Sequence, residues 1–378
     1  MKAIQMVDLK GQYERIQSEI DNSVLMAIRS TAFINGPDVK EFQHDLEHYL
    51  DVKNVIPCAN GTDALQIALM ALGLKPGDEV ITPSFTYIAT VEVIALLQLK
   101  PVFIEVDPHT FNIDVSQLEK VLTPNTKAIV PVHLYGQCAD MESILSFANK
   151  HNLKVVEDTA QGIGAEYTFS NGTVKKAGTI GDIGCTSFFP SKNLGCYGDG
   201  GAIFCNNDEL AKKIKMMANH GQSIKYHHDE VGVNSRLDTL QAAILKVKLK
   251  YLDDYAGARN KVANYYNKNL GGIEGVTIPF KNENTTHVYH QYTMKLGGIN
   301  RDGLKKFLES RGIPAMIYYP IPVHLQKGYN YLGYKKGDMP LTEELCENVI
   351  SLPIHTEFEE SQLEYIVNTI KEFVSKWK

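Results

Sequence analysis

Residues 54–82 read NVIPCANGTDALQIALMALGLKPGDEVIT, and the alternation within this stretch decides the fold. Asn54–Cys58 is an apolar run of strand length, Thr62–Leu72 has the apolar spacing of a helix, and Glu79–Thr82 is another strand-length run. The same rhythm continues to about residue 205. Alternating strands and helices predict an α/β fold with a mostly parallel sheet. The runs are apolar on both faces, as expected when helices cover both sides of the sheet.

The neighbouring segments extend this large unit in both directions. Further strands are predicted at Pro101–Val106, Lys127–Val132, Lys154–Glu157, Ile183–Phe189 and Gly201–Cys205, with helices near Tyr87–Leu97 and Met141–His151. Residues 10–29 and 37–49 are amphipathic and predict two helices before the first strand. Residues 208–269 are mostly helical, and Leu237–Asn269 predicts one long helix that connects two domains.

The character of the chain changes after Gly271-Gly272. Strands are predicted at Val276–Phe280, Val288–Leu296 and Ala315–Tyr319, and helices at Arg301–Arg311, Thr342–Ile350 and Glu359–Trp377. This mixture predicts a smaller α+β unit. We therefore expect a large domain over residues 1–250 and a small C-terminal domain over residues 251–378.

Composition excludes several classes of protein. With 44% hydrophobic and 22% charged residues, the 378-residue chain has the composition of a soluble globular protein. A net charge of -6 argues against a nucleic-acid-binding surface. No apolar run approaches about 20 residues, so no membrane span is expected, and the N-terminus has no signal-peptide core. The six cysteines are scattered without a Cys-x-x-Cys pair, which predicts reduced thiols in a cytoplasmic protein and no metal site.

One lysine stands out in the stretch from Thr186 to Ala202. Lys192 lies in a Gly-rich, largely uncharged turn, and apolar residues such as Phe188 and Leu194 flank it. Desolvation lowers the pKa of an amine toward the range in which it is nucleophilic. This stretch alone leaves an ordinary surface lysine equally open, because perturbed lysines mark sites only statistically.

The ends of the predicted strands carry residues suited to a phosphate. In parallel α/β sheets, ligands bind beyond the carboxyl ends of the strands. Gly61 and Thr62 follow one strand and begin a helix, whose exposed amides can bind a phosphate. Ser187, at the end of another strand, offers a second phosphate ligand. An ordinary helix cap is the alternative for the first pair, and the P-loop spacing is absent.

Two other strand ends carry groups suited to an aromatic cation. Asp158 ends a buried strand, where a carboxylate requires a partner such as a cationic ring nitrogen, and Gln161 could reach the same ligand. Tyr87 could stack on a planar ring, although core packing and local capping are the alternatives for these residues. A phosphate cup, a buried acid, a stacking ring and a desolvated Lys192 together match the needs of pyridoxal phosphate.

The chain resembles the DegT-type sugar aminotransferases, which are fold type I enzymes that use pyridoxal phosphate. The likeness covers nearly the whole chain. Its motifs are FINGP at residues 33–37, NGTDAL at 60–65, GDEVITP at 77–83, PVHLYGQ at 131–137, EDTAQ at 157–161, SFFPSK at 187–192, NSRLD at 234–238 and YPIPVHL at 319–325. The resemblance implies a large α/β/α domain with a smaller C-terminal α+β domain.

The resemblance also implies roles for individual residues. Lys192 resembles the family's Schiff-base lysine and proton shuttle. The implied cofactor contacts are Asp158 at the pyridine nitrogen, Gln161 on the ring hydroxyl side, Gly61, Thr62 and Ser187 at the phosphate, Tyr87 stacked on the ring, and Asn234 at the phosphate from the other subunit. The family's active sites therefore lie at a homodimer interface. Tyr319, His324 and the loop at residues 33–36 are implied to border the substrate pocket.

The expected substrates are a nucleotide-linked keto-sugar and L-glutamate. The sequence at residues 194–201 and 234–236 is most similar to that of family members that aminate C3 of UDP-2-acetamido-3-keto-glucuronic acid, for surface-polysaccharide biosynthesis. Arg236 could pair with the sugar carboxylate through its bidentate fork, or form a structural salt bridge. The alternatives are dTDP-linked 3- or 4-keto-6-deoxy sugars, a different reaction such as dehydration, and a sugar-binding or regulatory protein without activity. The related dehydratases have histidine in place of Lys192 and are therefore disfavoured.

Overall fold

The computed structural model describes residues 2–376. The strands within this range are β1 (Asn54–Cys58), β2 (Glu79–Pro83), β3 (Lys100–Ile104), β4 (Thr126–Ile129), β5 (Lys154–Asp158), β6 (Glu166–Thr168), β7 (Val174–Lys176), β8 (Ile183–Ser187), β9 (Gly201–Cys205), β10 (Gln222–Ile224), β11 (His227–His228), β12 (Val276–Thr277), β13 (Tyr292–Leu296) and β14 (Val349–Leu352).

The α-helices surround these strands. In chain order they are α1 (Leu9–Arg15), α2 (Gln17–Ser30), α3 (Pro37–Leu50), α4 (Gly61–Ala71), α5 (Ala89–Leu96), α6 (Leu118–Val121), α7 (Met141–His151), α8 (Asp208–Ala218), α9 (Thr239–Leu249), α10 (Leu252–Leu270), α11 (Arg301–Ser310), α12 (Pro340–Asn348) and α13 (Glu360–Lys376). Short 3₁₀ turns, such as Val323–Leu325, connect some of them.

The main sheet has seven strands in the order β1-β9-β8-β5-β4-β2-β3. The pairs from β8 through β3 are parallel, whereas β9 is antiparallel to both of its neighbours. This confirms the α/β class and the mostly parallel sheet. The carboxyl ends of the parallel strands meet at one edge, which is where ligands bind in such sheets.

Successive residues of one strand face opposite layers of helices. Val156 packs with α4, α5 and α8 on one face, while Val155 packs with α7 on the other. Val80 lies on the same face of the sheet as Val156, and Ile81 lies on the same face as Val155. Because side chains alternate along a strand, each strand must be apolar at consecutive positions when both faces are covered.

A second, antiparallel sheet lies in the C-terminal part, in the order β12-β13-β14. Its core contains apolar residues of α10, α11 and α13, together with Ile4 from the N-terminal segment. Two hairpins, β6–β7 and β10–β11, form the remaining small sheets. No helix in residues 2–376 is long and apolar enough to cross a membrane.

The prediction of one helix over Leu237–Asn269 is wrong. The segment forms α9 and α10, which Lys250 and Tyr251 separate. The two helices serve different cores: α9 packs against α2 and α3, whereas α10 packs against α13. Residues 208–269 are mostly helical, as predicted, and the short hairpin β10–β11 lies between α8 and α9.

Strand predictions in the C-terminal part need correction as well. Ala315–Tyr319 is not a strand and contributes only an isolated bridge between Met316 and Ser351. The predicted helix at Thr342–Ile350 ends at Asn348, because the chain continues as the fully buried strand β14 beside β13. The predicted helix Glu359–Trp377 forms as α13, but its predicted end at Trp377 lies outside the described residues.

Candidate active site

A cavity of about 830 Å³ opens beyond the carboxyl ends of β5 and β8 and the N-terminus of α4. Its volume lies in the range of ligand pockets, roughly 300–1,000 Å³. The predicted site residues that line it are Gly61, Thr62, Tyr87, Asp158, Gln161, Ser187, Lys192 and Tyr319. Residues more than 200 positions apart in the chain therefore border one space.

The cup at the start of α4 is built on a close backbone approach. A Cβ atom on Gly61 would lie 2.7 Å from the Cβ of Ser187, so only glycine lets this turn pack against the end of β8. The side chain of Asn60 caps the helix by accepting the amide of Asp63 at 2.8 Å. The first amides of a helix have no partner inside it. With the Ser187 hydroxyl beside them, they form a site suited to an anion.

The carboxylate of Asp158 lies at the end of β5 and is buried. One oxygen accepts the hydroxyl of Thr90 at 2.8 Å, and the other accepts the amide of Ala160 at 3.1 Å. These two donors compensate the burial of the charge and fix the plane of the carboxylate. The group can therefore face a cation in the cavity without reorganising.

Gln161 is held between two parts of the cavity wall. Its amide nitrogen donates to the hydroxyl of Tyr319 at 3.1 Å, and its amide oxygen accepts the backbone N–H of Tyr135 at 2.8 Å. Burial raises the pKa of the Tyr319 phenol, which therefore stays protonated. The ring of Tyr87 lies 6.2 Å from that of Tyr319 and is 56% exposed, which places it at the mouth of the cavity.

Lys192 is positioned by a tight turn after β8. Its backbone N–H donates to the carbonyl of Phe189 at 2.8 Å, and a Cβ atom on Gly195 would lie 2.3 Å from the carbonyl oxygen of Pro190. Burial lowers the pKa of the Lys192 amine to about 8, and the charge of Asp158 opposes this shift. Roughly a tenth of the amine is thus neutral, and nucleophilic, at pH 7, which is far more than for a lysine of ordinary pKa.

The structure adds residues that the sequence did not indicate. His290 lines the cavity, and its Nδ1 lies 3.2 Å from Oδ1 of Asn193, whose amide nitrogen donates to the carbonyl of Val288 at 3.0 Å. Because that amide oxygen must accept, Nδ1 of His290 carries the proton. Burial, reinforced by the charges of Lys192 and Arg259, lowers the pKa of His290 well below its usual value, so the ring is neutral. Asn193 could have been suspected because it directly follows Lys192 in the sequence. No sequence pattern pointed to His290.

Three predicted site residues do not line the cavity of the single chain. His324 is buried, with Nδ1 2.7 Å from the Ser84 hydroxyl and Nε2 3.1 Å from Glu343, so both ring nitrogens are engaged elsewhere. Asn234 is exposed, and Arg236 is half-buried in the segment before α9. The loop at residues 33–36 also lies outside the lining and is held by Thr239, whose hydroxyl accepts the amide of Gly36.

The arrangement fits pyridoxal phosphate. The glycine-built cup at Gly61 and Ser187 suits a phosphate, and the pre-oriented carboxylate of Asp158 suits a protonated ring nitrogen. Lys192 supplies an amine of low pKa in the same cavity. A carbonyl-bearing aromatic cofactor with a phosphate needs this donor set.

Known proteins similar to this chain fall in one family. The family model described as the DegT/DnrJ/EryC1/StrS aminotransferase family matches residues 14–371. A Pseudomonas aeruginosa protein named UDP-2-acetamido-2-deoxy-3-oxo-D-glucuronate aminotransferase is 46% identical over 363 residues, 96% of this chain and 98% of that protein. A Geobacillus stearothermophilus protein named pleiotropic regulatory protein is 47% identical over 372 residues, 98% of each chain.

Two further similarities bear on the reaction and the fold. An Acidithiobacillus ferrooxidans protein named UDP-N-acetyl-3-dehydro-alpha-D-glucosamine 3-aminotransferase is 42% identical over 369 residues, 98% of this chain and 97% of that protein. The crystal structure of S. venezuelae DesV in complex with a ketimine intermediate matches with a TM-score of 0.95 at 36% identity, over 100% of both chains. Other similar structures hold the cofactor in its PLP or PMP form. The chain therefore belongs to the DegT/DnrJ/EryC1/StrS aminotransferase family and is a sugar aminotransferase that depends on pyridoxal phosphate.

Proposed function

We propose that this enzyme transfers an amino group from L-glutamate to C3 of a UDP-linked 2-acetamido-3-keto sugar, with UDP-2-acetamido-3-keto-glucuronic acid as the preferred substrate. The observation that carries the reaction class is the amine of Lys192, with a pKa of about 8, in the same cavity as Asp158 and the cup at Gly61. The choice of sugar is supported by the two relatives named for UDP-linked 3-oxo sugars. The uronic acid is preferred because its relative is the more similar of the two.

The residues of the cavity take distinct roles in this proposal. The amides of Gly61 and Thr62 and the hydroxyl of Ser187 bind the phosphate, and Gln161 contacts the ring hydroxyl side. Tyr87, at the cavity mouth, stacks on the ring. When bound, pyridoxal phosphate acts as an electron sink, which makes the proton on the amine-bearing carbon removable.

Two groups of the chain perform the proton chemistry. Asp158 holds the proton on the ring nitrogen as an ionised acceptor, for which its two donors prepare it. Lys192 would serve first as the covalent attachment point and then, as a neutral amine, would remove the proton from the amine-bearing substrate carbon and deliver it to the cofactor carbon that had been linked to the lysine. The depressed pKa of its amine is what both roles require.

We further propose that the enzyme works as a homodimer with each cavity completed by its partner. Tyr87 and Phe189 line the cavity, yet both rings are more than half exposed in the single chain. Asn234 and Arg236, which lie outside the cavity of their own chain, would then reach the neighbouring site at the phosphate and the sugar carboxylate.

The proposal also includes a division into domains near residue 250, where α9 gives way to α10, and a cytoplasmic role in surface-polysaccharide synthesis. His324, with both ring nitrogens engaged, would act on the substrate pocket only through its neighbours.

The test is a two-step assay of the purified enzyme. L-Glutamate alone is added first, and the expected products are 2-oxoglutarate and the amino form of the cofactor. That form is then offered UDP-linked 3-keto uronic acid, its neutral 2-acetamido counterpart, and dTDP-linked 3- and 4-keto-6-deoxy sugars, with return of the original absorbance as the signal. Preference for a dTDP sugar would overturn the substrate proposal. If none of these sugars is converted, a regulatory role would be favoured, such as the name of the G. stearothermophilus relative describes.

Arg236 provides a sharper test of the uronic acid. Replacement of Arg236 by Ala should lower kcat/KM for the uronic acid by about 10- to 100-fold and leave the neutral sugar nearly unchanged, because a bidentate pair with a carboxylate is lost. Arg236→Lys is the matched control, since it keeps the charge but not the fork. Equal losses for both sugars would indicate that Arg236 is structural.

A further inference from the structure

Thr90 contacts the carboxylate of Asp158 through its hydroxyl. It is the second residue of α5, and its side chain is fully buried. Because Thr90 lies in the first turn of α5, no preceding helical turn offers a carbonyl to its hydroxyl. Thr90 instead donates across to Oδ2 of Asp158, at the end of β5, over 2.8 Å.

A second threonine extends this contact to the cavity wall. The hydroxyl oxygens of Thr86 and Thr90 are 3.2 Å apart, and Thr86 lines the cavity. A hydroxyl has a single hydrogen. Because Thr90 gives its hydrogen to Asp158, Thr86 must be the donor to Thr90. The result is a directed chain of hydrogen bonds from Thr86 through Thr90 to Asp158, in which each bond polarises the next.

This chain of hydrogen bonds reaches only one oxygen of the Asp158 carboxylate, Oδ2. The other oxygen accepts the backbone amide of Ala160, which no side-chain substitution removes. Thr90 is thus the side-chain donor that both orients the carboxylate and stabilises its negative charge. Loss of that donor would make Asp158 a stronger base without displacing it from the end of the strand.

We propose that Thr90 is a positioning residue that sets the basicity of Asp158 and, through it, how firmly the proton stays on the nitrogen of the cofactor ring. The inference rests on the proposed role of Asp158 as the partner of that nitrogen. A more basic Asp158 draws this proton toward itself. The ring then loses positive charge, which raises the pKa of the nitrogen through which Lys192 holds the cofactor.

Two substitutions separate the hydroxyl of Thr90 from its shape. Thr90→Val keeps the branched shape and removes the donor, whereas Thr90→Ser keeps the donor and removes the methyl group. The holoenzyme is titrated between pH 5 and pH 10, and the absorbance of the lysine-bound cofactor gives its pKa. We expect Thr90→Val to raise this pKa by roughly half a unit to one unit, because only part of the effect of losing a charge-assisted hydrogen bond to the carboxylate reaches the distant nitrogen. The glutamate half-reaction should slow by about five- to tenfold, and Thr90→Ser should restore both.

Two controls assign the cause of any shift. Thr82→Val removes another buried threonine hydroxyl, which donates to the carbonyl of Val130 at 3.1 Å and not to Asp158, so its titration should match wild type. Asp158→Asn should raise the cofactor pKa more than Thr90→Val does. If Thr90→Val does not bind the cofactor, Thr90→Ala replaces it, since it removes the same donor without filling space.

The outcomes separate this inference from the role of Asp158. A wild-type titration in Thr90→Val together with a shifted one in Asp158→Asn would overturn the inference and leave the role of Asp158 intact. Wild-type titrations in both would overturn the role of Asp158 itself. Equal shifts in Thr90→Val and Thr90→Ser would mean that packing around Thr90 is responsible, which also contradicts the inference.

Discussion

Two lysines of this enzyme have amines with a pKa near 8, and they lie in very different surroundings. Lys192 borders the large cavity beside β8, whereas Lys248 lies in α9 with only 1% of its surface exposed. Burial is the main cause of the lowered pKa of both amines. Depression of the pKa therefore does not distinguish a reactive lysine from an inert one.

The two amines differ in the groups that surround them. Lys192 shares its cavity with the carboxylate of Asp158 and with the anion cup at Gly61. The amine of Lys248 has no hydrogen-bond partner within residues 2–376 and lies 5.2 Å from the centre of the Tyr197 ring. A reactive amine needs space for a substrate and a charge that orients it. Desolvation without either yields only a destabilising group.

The largest effect is expected from Lys192→Ala. Loss of both the covalent attachment point and the general base should reduce transamination by at least about a thousandfold and abolish the absorbance of lysine-bound cofactor. Lys248→Met is the matched control, since it removes the other low-pKa amine and should leave the spectrum and the turnover close to wild type. A lysine-bound spectrum in Lys192→Ala that disappears in the double variant would show that Lys248 can reach the cofactor, against this comparison.

The sequence predicted the surroundings of Lys192 better than those of Lys248. Asp158, Ser187 and Gly61 could be recognised because each follows a short apolar run, and parallel strands bring such ends to one edge. Lys248 had no such signal, because it lies on a helix whose burial comes from α2 and α3 packing on it. Local periodicity can be read from the sequence, whereas the burial of a helix on all its sides depends on the other helices that pack against it.

The same limit explains the site residues that were missed. A strand was predicted over residues 288–296, but Tyr289 has a positive φ of 45° and β13 begins only at Tyr292. The guanidinium of Arg259 donates to the carbonyls of Tyr289 and His290 and holds this bend from about thirty residues away. Thr90 was missed for a similar reason, because its partner lies 68 positions along the chain.

A smaller effect, and of opposite sign, is expected from Lys248→Met. Methionine has a similar length and no charge to desolvate, so the variant should be more stable than wild type by up to about 3 kcal/mol near pH 7. The pKa of Lys248 is about 8 when folded and about 10.4 in an unfolded chain. Below pH 8 the amine is charged in both states and its burial destabilises the fold. Between pH 8 and pH 10.4 the unfolded chain binds more protons, so wild-type stability gains on the variant.

Denaturant unfolding of both proteins from pH 7 to pH 10.5 measures this difference. The advantage of Lys248→Met should be largest at the lowest pH and shrink steadily above pH 8. Lys250→Met, at an exposed position two residues along, is the matched control and should show no such trend. A constant difference across the range would mean that Lys248 does not carry a depressed pKa in the folded protein.

The smallest effect concerns the ring of Tyr197, whose centre lies 5.2 Å from the amine of Lys248. Tyr197→Leu should destabilise the enzyme by about 1 kcal/mol at pH 7, because a cation over an aromatic face is worth about that when partly desolvated. Tyr197→Phe keeps the ring face and should cost less. The ring also contacts Tyr13 edge-on, so packing alone could account for part of the loss. A double-mutant cycle with Lys248→Met isolates the charged part. That coupling should be present at pH 7 and vanish at pH 10.5, where the amine is neutral; a coupling that does not depend on pH would assign the contact to packing.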